Sequence, residues 1–197
     1  MTRRQVRLRR RRVLLSAAVL VGAALLTALA LIQSQAAGRM ALPHRFELSP
    51  NTLRFEYPQD WQYSILETNL IFLASPEVLR QEPGASLIIQ RSQRLMVETD
   101  TLEAALETYL RRGPLLNEGR WTITEAVQPA QIGGRAALRV VLEGREREAA
   151  AMMVSTITAA RADNGTIYVL ASSAPLDQKA ALQPTLDAIV ASVTILE

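Results

Sequence analysis

The chain has 197 residues, a formal net charge of +3 and a pI near 9.8, and its 22 basic residues are 21 arginines and one lysine, Lys179. It has no cysteine and one histidine, His44, which excludes disulfides, Cys–His catalysis and a lipid-modified N-terminal cysteine. The basic pI gives no support for a nucleic-acid partner: seven arginines fall in the first twelve residues and all 19 acids lie beyond position 46, so the chain from Gly38 onward carries 15 basic against 19 acidic residues.

Residues 1–12 are Arg-rich and read as a cytoplasmic segment, because arginines before an apolar stretch resist translocation. The twenty uncharged residues Val13 to Ile32 (VLLSAAVLVGAALLTALALI) would span about 30 Å as a helix, the thickness of a bilayer's hydrocarbon core. They are expected to form one transmembrane helix that associates the chain with a membrane and displays the rest on the other side. A second reading stays open, a signal peptide cut after Ser34-Gln35-Ala36 that releases a secreted domain. Twenty residues exceed the roughly 7–15 of a signal h-region, which favours the anchor. Residues 33–45, small, polar and Pro-containing, read as a linker, and 46–197 as one exported domain large enough to bury a core.

Within that domain Leu53, Phe55 and Tyr57 alternate, and after the turn Pro58-Gln59-Asp60 so do Trp61, Tyr63 and Ile65. Leu70 to Ala74, Leu87 to Arg91 and Met152 to Ala160 are apolar runs. Ala136, Leu138, Val140 and Leu142 alternate, as do Ile167, Val169 and Ala171. All of these predict half-buried strands. Asp163-Asn164-Gly165 predicts a type I′ hairpin turn. Thr101 to Arg112 has helical period, with Leu102, Leu106, Tyr109 and Leu110 on one stripe, Asp100 as N-cap with Glu103 at capping-box spacing, and Gly113-Pro114 as the stop. A last helix carries Leu182, Leu186, Ile189, Val190 and Val193 on one face, with its tightly wound part expected from Gln183 and Pro184 in the first turn. The order predicts an α+β domain, an antiparallel β-sheet flanked by helices, preceded by one N-terminal transmembrane helix.

The segments LRFEYPQDW, TLEAALETYL, QIGGRAALRVVLEG, GTIYVLASSAP and TLDAIVASVTI, in this order from Phe46 to Ile195, resemble the PsbP/Mog1-like superfamily. The resemblance implies a sheet flanked by helices and a non-enzymatic accessory, assembly or binding role. The shared features are packing residues and turns, so no functional residue carries over.

A search for chemistry returns little. His44 with Glu47 lacks a third metal ligand and reads as a solvated linker residue, and there is no G-x-S-x-G, P-loop or G-x-G-x-x-G. No metal or cofactor is expected. Glu56, Asp60 and the alternating Glu143-Gly144-Arg145-Glu146-Arg147-Glu148 could supply paired carboxylates for a hydrolase only if they converged in one cleft, and otherwise read as exposed charges. The aromatic set Trp61, Trp121, Tyr57, Tyr63, Tyr109 and Tyr168 reads as ligand-binding or as core. The expectation is a membrane-tethered domain that binds a protein partner or assists a membrane or envelope complex, with Trp121, Tyr109, Arg145, Glu146 and Arg147 as the candidate surface. The alternative is a small-ligand or lipid site in a cleft between helix and sheet.

Overall fold

A computed structural model of the protein describes residues 41–48, 52–67, 69–92, 101–112, 120–145 and 151–196. In chain order these form strands β1 (His44–Leu48), β2 (Leu53–Tyr57), β3 (Gln62–Glu67) and β4 (Leu70–Ala74), the short helix α1 (Pro76–Leu79), and β5 (Ser86–Ser92). Helix α2 (Leu102–Arg112) follows, then β6 (Arg120–Ile132), β7 (Arg135–Arg145), β8 (Met153–Arg161) and β9 (Ile167–Pro175). A 3-10 turn (Leu176–Gln178), helix α3 (Lys179–Ser192) and β10 (Thr194–Ile195) complete the chain. Among the described residues no helix is long and apolar enough to cross a bilayer, and the segment Val13 to Ile32 lies outside them.

The α+β expectation holds, with two sheets in place of the single one expected. Seven strands run β3-β4-β5-β9-β8-β7-β6, antiparallel throughout, and three more run β1-β2-β10. Helix α2 lies on one face of the large sheet: Ala105, Leu106 and Tyr109 pack in one apolar cluster with Ile88, Val140, Leu142, Ile157, Ala159, Ile167, Val169 and Ala171. Helix α3 and the small sheet cover the other face, where Leu186, Ile189, Phe46, Leu53 and Phe55 meet Leu87, Ile89, Val141, Val154, Tyr168 and Leu170.

This corrects the half-buried reading of the central strands. All nine residues of β9 are buried, odd-numbered side chains toward α2 and even-numbered ones toward α3. In β7 Ala136 is exposed and Leu138 half-buried, while Ala137, Val140, Val141 and Leu142 are buried. A strand covered on both faces is apolar in both registers, so alternation describes only half of it. The reverse correction applies to β3. Trp61 is buried ahead of it, but all six of its own residues are exposed, because β3 is the sheet's edge and neither helix reaches it.

Local signals fared unevenly. Thr101 caps α2, its Oγ1 accepting a hydrogen bond from the Ala104 N–H at 3.2 Å; Asp100, Gly113 and Pro114 lie outside the described residues. Helix α3 starts four residues before the expected Gln183, continuing the 3-10 turn, and Pro184 sits inside it. The Asp163-Asn164-Gly165 hairpin is a three-residue loop in which Gly165 alone has positive φ (+88°), closed by Ala162 N–H to the Thr166 carbonyl at 2.8 Å. It is therefore not type I′. That geometry belongs to Gly133-Gly134, whose φ values of +57° and +79° join β6 to β7 with Ile132 opposite Arg135.

Candidate functional site

Of the five candidate residues, Tyr109 and Trp121 belong to the same apolar cluster and Arg145 lies on the other face of the β6–β7 strand pair. Glu146 and Arg147 lie outside the described residues. Tyr109 projects from the buried stripe of α2 and is 2% exposed. Trp121, half-buried on β6, packs against the same cluster. Among the described residues neither the Tyr109 hydroxyl nor the Trp121 indole N–H has a hydrogen-bond partner, although both atoms are buried. An unpartnered buried donor costs about 1–3 kcal/mol, so the pair is an energetic liability of the bare fold. Loss of solvation pushes the Tyr109 hydroxyl well above the ordinary tyrosine range.

Arg145 ends β7 directly opposite Arg120, the first residue of β6. Register puts both on the α3 side of the sheet, whereas Trp121, opposite Gly144, faces α2. Both arginines are exposed, and among the described residues neither makes an ion pair. Like charges directly across a ladder repel, so this end of the hairpin favours an anionic group beside it. Ile123, on the α2 side with Trp121, and Val127, farther along β6, are large apolar side chains left exposed.

Strand β6 itself was not foreseen. Its register slips between Ile123 and Glu125 and again between Glu125 and Gln128, and it contains Pro129, so no period-two pattern survives. Proline belongs at a sheet edge, where the missing N–H faces no neighbour. The signal was the Gly133-Gly134 pair, which makes the strand after it one arm of a hairpin and requires a mate before it.

The remaining aromatic residues separate. Tyr168, Tyr109 and Trp61 are buried in the core. His44 belongs to β1 and not to the linker, and stacks on Tyr57 at 5.4 Å, with Phe46, Phe55 and Tyr63 extending the group. Partial burial, then the neighbouring Tyr63, raises the Tyr57 hydroxyl pKa. A strand places His44 and Glu47 on opposite faces, so they do not form a ligand pair.

The carboxylates are likewise dispersed. Glu56 and Asp60 are exposed on β2 and the turn after it, and Glu143 belongs to β7 in the other sheet. Among the described residues no group of three metal-ligating side chains occurs. An open groove of about 610 Å³ among the described residues is elsewhere, between Leu102, the Gly133-Gly134 turn, Arg161 to Asp163 and Ile195. Neither Trp121 nor Tyr109 lines it, and its Arg135 is tied to both carboxylate oxygens of Asp163.

This architecture is that of the PsbP/Mog1-like fold. No protein-family model matches the sequence, and no curated protein matches it. Solved structures do resemble it. The Ran-binding protein Mog1p of Saccharomyces cerevisiae has a TM-score of 0.53 at 13% identity over 78% of this chain and 95% of Mog1p. The cyanobacterial PsbP of Synechocystis has 0.52 at 11%, over 77% and 91%. LpqN, involved in cell envelope biogenesis of Mycobacterium tuberculosis, has 0.51 at 14%, over 78% and 90%. A chain from Bacteroides thetaiotaomicron has 0.55 at 11%; 80% of this chain is covered, but it spans only half the length of that one. What is shared at these identities is the fold.

Proposed function

We propose that the protein is a non-enzymatic, membrane-tethered extracytoplasmic domain that binds a protein partner or helps assemble a membrane or envelope complex. The observation that carries this reading is the end of the β6–β7 hairpin. There Arg120 and Arg145 face each other with no ion-pair partner among the described residues, and β6 also exposes Ile123, on the α2 side of the sheet, and Val127 farther along the strand. A partner presenting acidic and apolar groups would relieve the repulsion and cover the apolar surface. The buried core, closed by helices on both faces, agrees with recognition by a surface. Mog1p is a Ran-binding protein and LpqN is involved in cell envelope biogenesis, which accords with a partner-directed role for this fold. The uncharged segment Val13 to Ile32 behind its arginines would supply the tether.

The test is affinity purification of the full chain from detergent extract, beside a variant carrying Ile123→Asp and Arg145→Glu. One partner recovered stoichiometrically with the natural chain and lost from the variant is the expected result. Recovery of the isolated protein alone overturns the proposal. Sequencing the mature N-terminus tests the tether: Met1 or Thr2 agrees with an anchor, and Ala37 with a released domain.

A second reading rests on the two buried donors that lack a partner among the described residues. A small ligand carrying hydrogen-bond acceptors, seated between α2 and the sheet, would satisfy Tyr109 and Trp121 together. Organic extraction of the purified protein, followed by mass spectrometry, tests it; an extract with no bound small molecule removes it.

A further inference from the structure

The two edges of the seven-stranded sheet differ. The β6 edge is guarded by Pro129, two register slips and the Glu125–Arg139 ion pair, devices that prevent another strand from adding. The β3 edge lacks comparable guards. Among the described residues it pairs only with β4, and residues 61–66 contain no charge and no proline. Tyr63 is 45% exposed, Ile65 52% and Leu66 58%. A single register slip at Leu66 confines the regular edge to Gln62–Ile65.

We infer that the β3 edge is a homodimer interface, at which a second copy of this chain adds its own β3 antiparallel about a twofold axis at Ser64. Charge does not oppose a second copy. Self-pairing of a charged edge would set like charges face to face, and this edge has none between Trp61 and Leu66. The sequence is also self-complementary in this register. Tyr63 of each copy stands opposite Ile65 of the other, an aromatic–β-branched pair on the same face, and it occurs twice. Glu67, the first charged residue, lies beyond the slip and outside the regular edge. The aromatic contacts of Tyr63 with Phe46 and Tyr57 hold its ring on that face before the partner arrives.

The natural chain has no cysteine, so one introduced thiol reports one position. The experiment is mild oxidation of full-length Ser64→Cys in detergent, beside Thr122→Cys on the exposed β6 edge, followed by non-reducing electrophoresis. Residues directly opposite in an antiparallel pair hold their Cβ atoms about 4.5–5.5 Å apart, near enough to cross-link with slight adjustment. The expected result is a covalent dimer as the main product for Ser64→Cys, with Thr122→Cys remaining monomeric. Adding Ile65→Lys, at an exposed position that removes no core, should lower the cross-linked fraction at least tenfold. The inference is overturned if Ser64→Cys stays monomeric, if both positions cross-link alike, or if Ile65→Lys leaves the yield unchanged. It is also overturned if light scattering finds one copy bound to a different chain that Ile65→Lys releases. Because β3 and β6 are opposite edges, failure here leaves the partner proposal at β6 standing, and the converse holds.

Discussion

Trp121 lies directly across the β6–β7 ladder from Gly144, and its indole occupies the space that a side chain at position 144 would fill. A Cβ placed on Gly144 would stand 2.9 Å from indole Cδ2, 2.8 Å from the Trp121 Cα and 2.2 Å from the Arg120 carbonyl oxygen. Two of those three atoms are backbone and cannot rotate away. The glycine is therefore explained by close approach, and its neighbour's pose depends on it.

Gly144→Ala should destabilise the domain by about 1–3 kcal/mol, the usual range for overpacking. It should also shift the tryptophan emission to the red as the Trp121 ring is driven outward, because Trp61, the other tryptophan, is buried away from the substitution. Urea unfolding followed by fluorescence measures both. An unchanged midpoint and spectrum would show that the ladder opens freely at this point.

Tyr109→Phe removes a buried hydroxyl that lacks a partner among the described residues, so stability at pH 7 should be unchanged or raised by up to about 1 kcal/mol. Tyr109→Ala, which leaves a cavity under α2, should cost about 3–5 kcal/mol. The Tyr109 pKa is raised in the folded state, so the phenol ionises first in the unfolded chain and stability falls as pH rises past about 10. Tyr109→Phe should lose less stability than the natural protein between pH 9 and 11 (about the range in which unfolded tyrosine titrates). Thermal melts across that range decide it, and parallel curves would place an unseen partner on the hydroxyl.

Arg135 grips Asp163 through both carboxylate oxygens, one contact at 2.8 Å, and reaches the Ile195 carbonyl at 3.4 Å, so one side chain ties the β6–β7 turn to the β8–β9 turn and to β10. Hydrogen bonding from Arg135 lowers the Asp163 pKa. A lowered folded pKa gives stability that is present above the unfolded value and lost as pH falls through the folded one. Asp163→Asn should therefore melt below the natural protein at pH 7, with the gap closing below about pH 4. Calorimetry at pH 7 and pH 3 checks the convergence.

Arg145→Glu replaces a like-charged cross-strand pair by an opposite-charged one and should raise stability by a few tenths to about 1 kcal/mol, less at high salt. The same change should abolish capture of an acidic partner. A variant that is more stable yet binds less well would separate a recognition role from a structural one; unaltered capture would count against the β6 site.

Much of the fold was legible because its signals are local. The stripe Leu102, Leu106, Tyr109 identified α2, and the alternation Leu53, Phe55, Tyr57 identified β2, since periodicity depends on neighbours in the chain. The errors share one cause. Strand β6 escaped because Pro129 and two slips erase its period, β3 looked half-buried because its pattern says nothing of what lies above it, and β9 looked one-sided because α2 and α3 approach from opposite faces. Of the candidate surface, Tyr109 and Trp121 pack in one apolar cluster, and no sequence pattern placed Arg120 opposite Arg145, twenty-five residues away.

The sequence by itself determined the charge segregation, the single uncharged stretch long enough to span a bilayer, the absence of cysteine chemistry, and the two longer helices with most of the strands around them. These are properties of composition and of contacts within a few residues. Only the tertiary structure decided that the core has two faces, that β3 and β6 are the edges, and that Trp121 settles on Gly144. Each depends on pairing between distant segments, and the free energy of such pairing belongs to neither segment alone.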